Sequence, residues 1–354
     1  MINKIIDKLY KSNNIERKEL IYLIENIDEK SKEYLIEKAN DTRIKHYSNK
    51  VFMRGLIEFT NYCKNDCYYC GIQRGNKEVE RYRLTLEEIL KCCKIGEELG
   101  YKTYVLQGGE DSYYTDDKII EMVREIKKNF PESAITLSLG EKPYESYKKY
   151  YEAGADRYLL RHETATEEHY RKLHPEELSL QNRKQCLYDL KEIGFQVGAG
   201  FMVGSPYQTV ENLADDLLFL KELEPHMVGI GPFIPHKDTI FSKEKQGSLE
   251  MTIIMIALTR LLLPKVLLPA TTALGTIHPL GREMGLKAGA NVVMPNLSPT
   301  VVREKYSLYD NKICTGDEAA ECRQCIQKRI ESAGFTVDLC RGDNVEWRRL
   351  SGIH

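Results

Sequence analysis

Residues 58–71 read Glu-Phe-Thr-Asn-Tyr-Cys-Lys-Asn-Asp-Cys-Tyr-Tyr-Cys-Gly, and the rest of the chain is interpreted outward from this stretch. Its three cysteines, Cys63, Cys67 and Cys70, have the spacing C-x3-C-x2-C. They follow the apolar run 51–59, which is typical of a buried strand. The sequence therefore predicts three thiolates on one loop at the end of a strand.

Three cysteines on one loop are one ligand short of a closed zinc site. Structural zinc takes four protein ligands, and no histidine lies between His46 and His162. A four-iron cluster held by three cysteines keeps one iron open for a substrate or cofactor. The spacing favours such a cluster, and a zinc site completed by a distant ligand is the alternative.

The composition narrows the class of protein. The 354 residues carry a formal net charge of −2, so no overall field favours nucleic acid or an anionic membrane. The N-terminal residues lack the features of a signal peptide, and polar residues and proline interrupt the most apolar segment, 249–270. We expect a cytoplasmic protein without nucleic-acid or membrane partners. Its ten cysteines are expected to be thiols or metal ligands.

Short apolar runs alternate with longer amphipathic stretches from residue 51 onward. The predicted strands are 51–59, 102–107, 134–139, 156–161, 196–203, 227–231, 266–270 and 290–294, and the predicted helices between them are 85–99, 115–129, 143–153, 179–193, 209–223, 247–262 and 280–287. Eight such strands predict an α/β fold, a closed (β/α)8 barrel of the TIM type. An open barrel of six units is the alternative, because the last two strands have the weakest pattern.

The pattern predicts three regions along the chain. Residues 1–48 have apolar positions at helical spacing and are expected to form an N-terminal helical cap. Residues 49–300 form the barrel, and residues 301–354 form a C-terminal extension that carries a second group of cysteines.

Catalytic side chains of such barrels gather at the carboxyl ends of the strands. Arg161 and Glu163 place opposite charges beside a buried strand, where a charge requires a partner or a ligand. Thr271 and Thr272 follow the seventh strand, and with Arg161 they are candidates to bind a small anion or a carboxylate.

The cysteine loop, with Tyr69 just before its last cysteine, resembles the signature of the radical S-adenosylmethionine (SAM) superfamily. The sequence Gly108-Gly109-Glu110 resembles the motif that holds the SAM amino group in that family. The resemblance implies a [4Fe-4S] cluster on the loop, with SAM on its open iron, and reductive cleavage of SAM to a 5′-deoxyadenosyl radical.

The same resemblance assigns roles to other residues. It gives Glu163 the ribose hydroxyls and Arg183 the methionyl carboxylate, and it places the adenine near Met202, Val203 and Ile230. The expected cofactor-binding residues are Tyr69, Gln107, Gly108, Gly109, Glu110, Glu163, Arg183, Met202, Ile230, Met294 and Tyr306, and the expected substrate-binding residues are Arg161, Thr271 and Thr272.

The second group of cysteines is Cys314, Cys322 and Cys325, spaced C-x7-C-x2-C. This spacing is typical of a peripheral iron–sulfur cluster, either [2Fe-2S] or [4Fe-4S]. A zinc site would need Cys340 or His354 as a fourth ligand, and reduced surface thiols are the other alternative.

Longer strings narrow the resemblance within the superfamily. VLQGGED, GADRYLLRHET, VGIGPFIPH, PATTALGT and VVMPN, with the late cysteines, resemble the HydE family of [FeFe]-hydrogenase maturases in the biotin synthase-like group. The resemblance implies a small sulfur-containing substrate, an iron–cysteine–carbonyl–cyanide species. It also implies HydG and HydF as partners, and an electron donor. A methylornithine synthase-like enzyme or another radical SAM enzyme of the biotin synthase group is the first alternative, and a non-enzymatic iron–sulfur carrier is the second.

Overall fold

The barrel is built from a run of parallel strands. The computed structural model describes residues 1–316 and 318–349. Six strands form one sheet in chain order: β2 (Gly55–Thr60), β3 (Thr103–Gly108), β4 (Ala134–Ser138), β5 (Arg157–Leu159), β6 (Gln196–Val203) and β7 (Met227–Pro232). Every neighbouring pair in this sheet is parallel. The strands of β2 and β7 are buried along their whole length, as expected where helices cover a parallel sheet.

The segments 266–270 and 292–296 lie between β7 and β2 and close the barrel. β1 (Lys50–Met53) continues into β2 and pairs in parallel with β8 (Val292–Val293). Isolated bridges join Met227 to Leu267, Pro269 to Val292, and Leu56 to Asn296. The predicted (β/α)8 barrel is therefore confirmed, and the chain does not stop at six units.

Three predicted strands differ in detail from the structure. The segment 266–270 makes only the bridges at Leu267 and Pro269, because proline has no N–H to donate to a ladder. The strand predicted at 290–294 shortens to β8, and the strand predicted at 51–59 divides into β1 and β2 at Arg54.

Helices follow the strands in the predicted order. The seven predicted helices are α4 (Leu86–Glu98), α5 (Asp116–Asn129), α6 (Tyr144–Ala153), α8 (Leu180–Ile193), α9 (Val210–Leu223), α10 (Leu249–Leu262) and α12 (Gly281–Lys287). The capping box that predicted the start of α4 is present, with Thr85 and Glu88 capping each other's backbone N–H. Four further helices were not predicted: α7 (Glu167–Leu173), α11 (Thr272–Ile277), α13 (Thr300–Arg303) and α14 (Ala319–Ser332).

The first 47 residues form three helices beside the barrel. These are α1 (Ile2–Ser12), α2 (Arg17–Asn26) and α3 (Glu29–Tyr47), and they pack against α9 and α10. Arg43 on α3 is buried and donates to the carbonyls of Ala290 and Lys50, next to the pairing of β1 with β8. The boundaries of the three regions remain predictions.

The C-terminal segment lies across the amino ends of the strands. After β9 (Thr336–Asp338), which pairs with β1, the Arg157 guanidinium donates to the Arg341 carbonyl and to Asp343 Oδ1, both at 2.6 Å. Asn344 donates to the carbonyls of His226 and Lys265. The opposite end of the barrel, where the cysteine loop follows β2, remains open. None of the helices in the two described ranges is both long and apolar enough to cross a membrane.

Candidate active site

A cavity of about 340 Å³ lies at the carboxyl ends of the barrel strands. Its walls include fifteen of the residues that the sequence singled out, from seven separate segments: Cys63, Cys67, Tyr69, Cys70, Gln107, Gly108, Gly109, Glu110, Arg161, Glu163, Arg183, Met202, Thr271, Thr272 and Tyr306. Residues up to 243 positions apart in sequence thus face one space.

Three of the residues that were expected to contact the cofactor do not line this cavity. Ile230 is 1% exposed and packs in the hydrophobic core, while its neighbour Gly231 lines the cavity. The Ile230 side chain belongs to the core around the barrel and not to the cavity wall. Met294 lines a smaller adjoining cavity instead. Val203 is likewise fully buried in the core.

The cysteine loop is held in place by one arginine that the sequence did not single out. The Arg81 guanidinium donates to four backbone carbonyls, those of Asn61, Ile72, Gln73 and Asn76. These carbonyls lie on both sides of the three cysteines, so Arg81 joins the two ends of the loop. No local pattern marks this role, since an arginine in a charged segment is usually a surface residue.

The three thiols of the loop are half-buried at the cavity wall. Burial raises the pKa of Cys70 to about 12 and the pKa of Cys67 well above its usual range, and the neighbouring cysteines raise both further. Such thiols stay protonated at neutral pH unless a metal binds them, because a coordinated thiol loses its proton.

Close backbone packing joins the cysteine loop to the glycine motif. A Cβ added to Gly109 would lie 2.2 Å from the Tyr62 carbonyl oxygen and 2.8 Å from Cys63 Cβ. Any side chain at this position would push the two loops apart, so glycine is required by space alone. The Lys64 N–H also donates to the Glu110 carbonyl at 2.9 Å.

Glu110 is a buried carboxylate where the cysteine loop packs against the glycine motif. Its Oε1 accepts from the Glu141 N–H at 3.0 Å, and its Oε2 lies 3.2 Å from Lys64 Nζ. Gly140 has a φ of 74°, and a Cβ there would lie 2.0 Å from Glu110 Cγ. Glycine at 140 therefore leaves room for the Glu110 side chain.

Glu163 has a backbone conformation that is unusual for a residue with a side chain. Its φ is 66°, while its N–H donates to the Gly200 carbonyl at 3.0 Å. Arg161 Nη2 approaches Glu163 Oε2 to 3.1 Å, yet both atoms are buried and neither has a partner in hydrogen-bond geometry among the described residues. Strained backbone and unsatisfied buried polar atoms are typical of functional sites.

Arg183 lies on the cavity wall and pairs with a carboxylate outside the predicted set. Its Nε lies 2.6 Å from Glu141 Oε1. Burial alone would lower the pKa of Arg183, but Glu141 and nearby groups raise it, so the guanidinium remains charged. Glu141 therefore positions a cation at the cavity, and only the fold brings the two residues together.

Another part of the cavity wall carries hydroxyl groups, and a buried ion pair lies behind it. Thr271 caps α11, accepting from the Leu274 N–H, and the Tyr306 hydroxyl accepts from Gln107 Nε2 at 3.2 Å. Behind Tyr306, Lys312 Nζ pairs with the buried Glu58 at 2.6 Å.

The second group of cysteines lies beside the barrel at the start of α14. Cys314 and Cys322 are close enough for a hydrogen bond between the thiols, which together with burial raises the pKa of Cys322. Cys325 is exposed, one helical turn after Cys322. Cys340 instead bonds with its own turn near Asp338 and Gly342, and His354 lies outside the described residues.

A family model for the radical SAM superfamily matches residues 57–220, which span the cysteine loop, the glycine motif, Glu163 and Arg183. The [FeFe] hydrogenase maturase subunit HydE of Thermotoga maritima is 53% identical over 84% of this chain and 84% of its own length. This chain belongs to the HydE family of radical SAM enzymes.

The HydE family shares its barrel with other radical SAM enzymes. The 3-methylornithine synthase of Methanosarcina acetivorans is 31% identical over 84% of this chain and 83% of its own length. The crystal structure of a methylornithine synthase superposes with a TM-score of 0.83 at 28% identity, covering 94% of this chain and 97% of that chain.

The residues of this HydE-family site fit the cofactors that the family implies, a [4Fe-4S] cluster and SAM. Within the described residues no three Cys, His, Asp or Glu side chains converge on a single-ion site. In a cluster each cysteine binds a different iron, so its thiolates stand apart on one loop, as Cys63, Cys67 and Cys70 do. Glu163 and Arg161 line the cavity beside that loop.

Proposed function

We propose that this enzyme cleaves SAM reductively during assembly of the two-iron subcluster of [FeFe]-hydrogenase. The observation that carries the proposal is the shared cavity. The three cysteines of the loop line the same cavity as Glu163, Arg183 and the two threonines Thr271 and Thr272. One cavity therefore contains three things: thiols that can hold a cluster with an open iron, charged groups that can bind SAM, and space for a second ligand.

The chain's own residues would hold SAM by complementary chemistry. Glu163, on the cavity wall, accepts hydrogen bonds from the ribose hydroxyls. Arg183 attracts the methionyl carboxylate, and the backbone of Gly108 and Gly109 with Glu110 receives the amino group. Met202, Phe233 and Ile234 provide an apolar wall for the adenine. The cluster, when bound, supplies the electron that breaks the SAM carbon–sulfur bond.

The substrate would occupy the remaining part of the cavity. Arg161, Thr271 and Thr272 suit the carboxylate of a cysteine-derived ligand, and this supports a small sulfur-containing iron–cysteine–carbonyl–cyanide substrate. The barrel excludes water and fixes the substrate, so that a reactive carbon radical meets one target.

HydG and HydF are the proposed partners, with an electron donor that reduces the cluster. We further propose that Cys314, Cys322 and Cys325 hold a second iron–sulfur cluster, [2Fe-2S] or [4Fe-4S], which the SAM reaction does not require. The proximity of Cys314 and Cys322 supports this assignment.

The test is activation of apo-hydrogenase in an anaerobic mixture that contains HydG and HydF. The reconstituted wild-type chain is expected to support activation, Cys67→Ala to abolish it, and Cys340→Ala, at an exposed thiol away from the cavity, to retain it. Cleavage of SAM by the wild type without any hydrogenase activation would contradict the maturase assignment.

A methylornithine synthase-like rearrangement is the second candidate, and the 31% identity to that enzyme favours it. It uses the same SAM-binding groups but needs an amino acid as substrate. Turnover of SAM that rises with an added amino acid, and not with the organometallic substrate, would support it. An iron–sulfur carrier would cleave no SAM in either mixture.

A further inference from the structure

A fully buried carboxyl group lies behind the segment that carries Glu163. It belongs to Asp216 on α9, the helix that follows β6 and packs against it. Leu213 and Leu220 lie one helical turn away on the same face and are part of the core, so an apolar side chain is expected at this position. Burying a carboxyl group costs free energy unless its surroundings bind it, so its contacts indicate its role.

The Asp216 carboxyl group reaches residues on both sides of Glu163. Its Oδ1 accepts from the Ala165 N–H at 2.5 Å, and the same oxygen lies 3.4 Å from His162 Nε2. His162 directly precedes Glu163, and Ala165 follows it by two positions. One side chain on α9 thus contacts the segment 162–165 before and after the Glu163 backbone.

His162 connects Asp216 to the strand that pairs with Glu163. Its Nδ1 accepts from the Gly200 N–H at 3.3 Å, and the Gly200 carbonyl accepts from the Glu163 N–H at 3.0 Å. Burial lowers the pKa of His162, so the ring is neutral, and an accepting Nδ1 leaves the ring proton on Nε2, toward Asp216. Gly200 on β6 therefore binds Glu163 through its carbonyl and His162 through its N–H.

We propose that Asp216 is a positioning residue, which holds the segment 162–165 against Gly200 so that Glu163 keeps its φ of 66° on the cavity wall. A residue with a side chain keeps such a conformation only where the surrounding structure imposes it. The inference rests on the proposed binding of the SAM ribose by Glu163. Because Asp216 itself is fully buried, its effect on SAM passes through Glu163.

The backbone bridge between Glu163 and β6 is the rival explanation for this conformation. Besides the bond to Gly200, the Met202 N–H donates to the Glu163 carbonyl at 3.4 Å. If these two bonds suffice by themselves, removal of the Asp216 carboxyl group leaves Glu163 in place. The rival and the proposal therefore predict different structures for the same variant.

The first experiment compares crystal structures of the full-length wild type and Asp216→Ala. We expect the φ of Glu163 to leave the left-handed region in Asp216→Ala. It should stay there in Asp216→Asn, because the amide oxygen can still accept from the Ala165 N–H. Asp216→Leu, which continues the apolar face of α9, gives the same test if Asp216→Ala does not fold. An unchanged Glu163 in the variants without the carboxyl group would overturn the proposal.

Asp116→Ala is the matched control for these structures. Asp116 also accepts from two groups, the hydroxyls of Ser146 and Tyr150, but it joins α5 to α6 and does not contact the segment 162–165. Its replacement removes a similar number of hydrogen bonds and is expected to leave the φ of Glu163 unchanged.

The second experiment measures SAM binding by equilibrium dialysis with radiolabelled SAM. The protein is reconstituted with iron and sulfide, and no reductant is added, so SAM is not cleaved. Asp216→Ala is expected to raise the Kd about fivefold, which corresponds to about 1 kcal/mol, and Asp216→Asn to raise it less than about twofold. In a Glu163→Ala background, Asp216→Ala should add less than about twofold, because the group through which it acts is gone.

Urea unfolding of each variant accompanies the binding measurement, because a general loss of stability would affect both backgrounds alike. Equal effects of Asp216→Ala with and without the Glu163 side chain would overturn the proposal. If the wild type binds no SAM, the proposed function fails, and the crystal structures still decide whether Asp216 positions Glu163.

Discussion

At the scale of single residues, Glu163 shows how the fold prepares a group for a ligand. Its positive φ is unfavourable for a side chain, and strain of this kind costs about 1–3 kcal/mol. The pairing of its N–H with Gly200 keeps the conformation. Glu163 is thereby held on the cavity wall, where its Oε2 lies 3.1 Å from Arg161 Nη2.

Glu163→Gln tests the proposed ribose contact. The amide has nearly the same shape but no charge, so its hydrogen bonds to hydroxyls are weaker. We expect the KM for SAM to rise about tenfold, which corresponds to about 1.4 kcal/mol, with a smaller change in kcat. The measurement is the SAM dependence of 5′-deoxyadenosine formation. Glu176→Gln, at an exposed position, is the control, and an unchanged KM in Glu163→Gln would refute the contact.

At the scale of elements, the cysteine loop depends on residues that follow it in the chain. Arg81 gathers four carbonyls from both ends of the loop, and a lysine could not reach them with one planar group. The geometry of the three thiols thus depends on a contact that carries no ligand itself.

Arg81→Lys is expected to weaken iron binding by the loop. Residues that orient metal ligands typically change metal affinity about 10–100-fold when replaced, and we expect the lower end of that range here. Iron per chain after titration with a chelator measures the effect. Arg124→Lys is the control, because Arg124 is exposed on α5, outside the cysteine loop. Equal iron retention by both variants would show that Arg81 does not support the cluster.

The second group of cysteines is tested by counting iron. Replacing Cys314, Cys322 and Cys325 with alanine is expected to remove two to four iron atoms per chain, the content of a [2Fe-2S] or [4Fe-4S] cluster. Formation of 5′-deoxyadenosine should persist, since these cysteines lie outside the active-site cavity. Iron content equal to that of Cys340→Ala would mean that no second cluster forms.

The sequence predicted the elements better than the contacts between them. Helix boundaries such as those of α4 could be read from a capping box, which is a local signal. The interruption of the seventh strand could not be predicted in this way, because the apolar pattern continues through Pro269 while the hydrogen-bond ladder does not. In the site, the motif residues were predictable, but Glu141, which positions Arg183, is identified only by a contact between distant segments.

At the scale of the whole molecule, the two ends of the barrel differ in role. The candidate active site lies at the carboxyl ends of the strands, and contacts that stabilise the fold lie at the amino ends. The C-terminal segment covers the amino ends of the strands through Asp343, which pairs with Arg157 and Arg341. Burial alone would raise the pKa of Asp343, but these guanidinium groups lower it from 3.8 to about 2. The folded state therefore favours the ionised carboxylate.

Asp343→Asn tests this network through its pH dependence. A carboxylate with a lowered folded-state pKa stabilises the protein above its unfolded pKa of about 4, and this stabilisation is lost as the pH falls toward 2. We expect the variant to lose about 1–2 kcal/mol at pH 7, allowing for partial exposure of the side chain, and the difference from the wild type to shrink by pH 3. Urea unfolding at both pH values measures it, with Asp189→Asn as the control. A difference that stays constant with pH would contradict the account.

The central claim is that the cysteine loop and the cavity beside it form a SAM-cleaving site. The most direct measurement is chromatography of 5′-deoxyadenosine after anaerobic reconstitution with iron and sulfide, followed by addition of SAM and a strong reductant. The account predicts that the wild type forms 5′-deoxyadenosine, that Cys67→Ala does not, and that Cys340→Ala does. If the wild type binds iron yet forms no more 5′-deoxyadenosine than Cys67→Ala, the assignment of this cavity to SAM cleavage is contradicted.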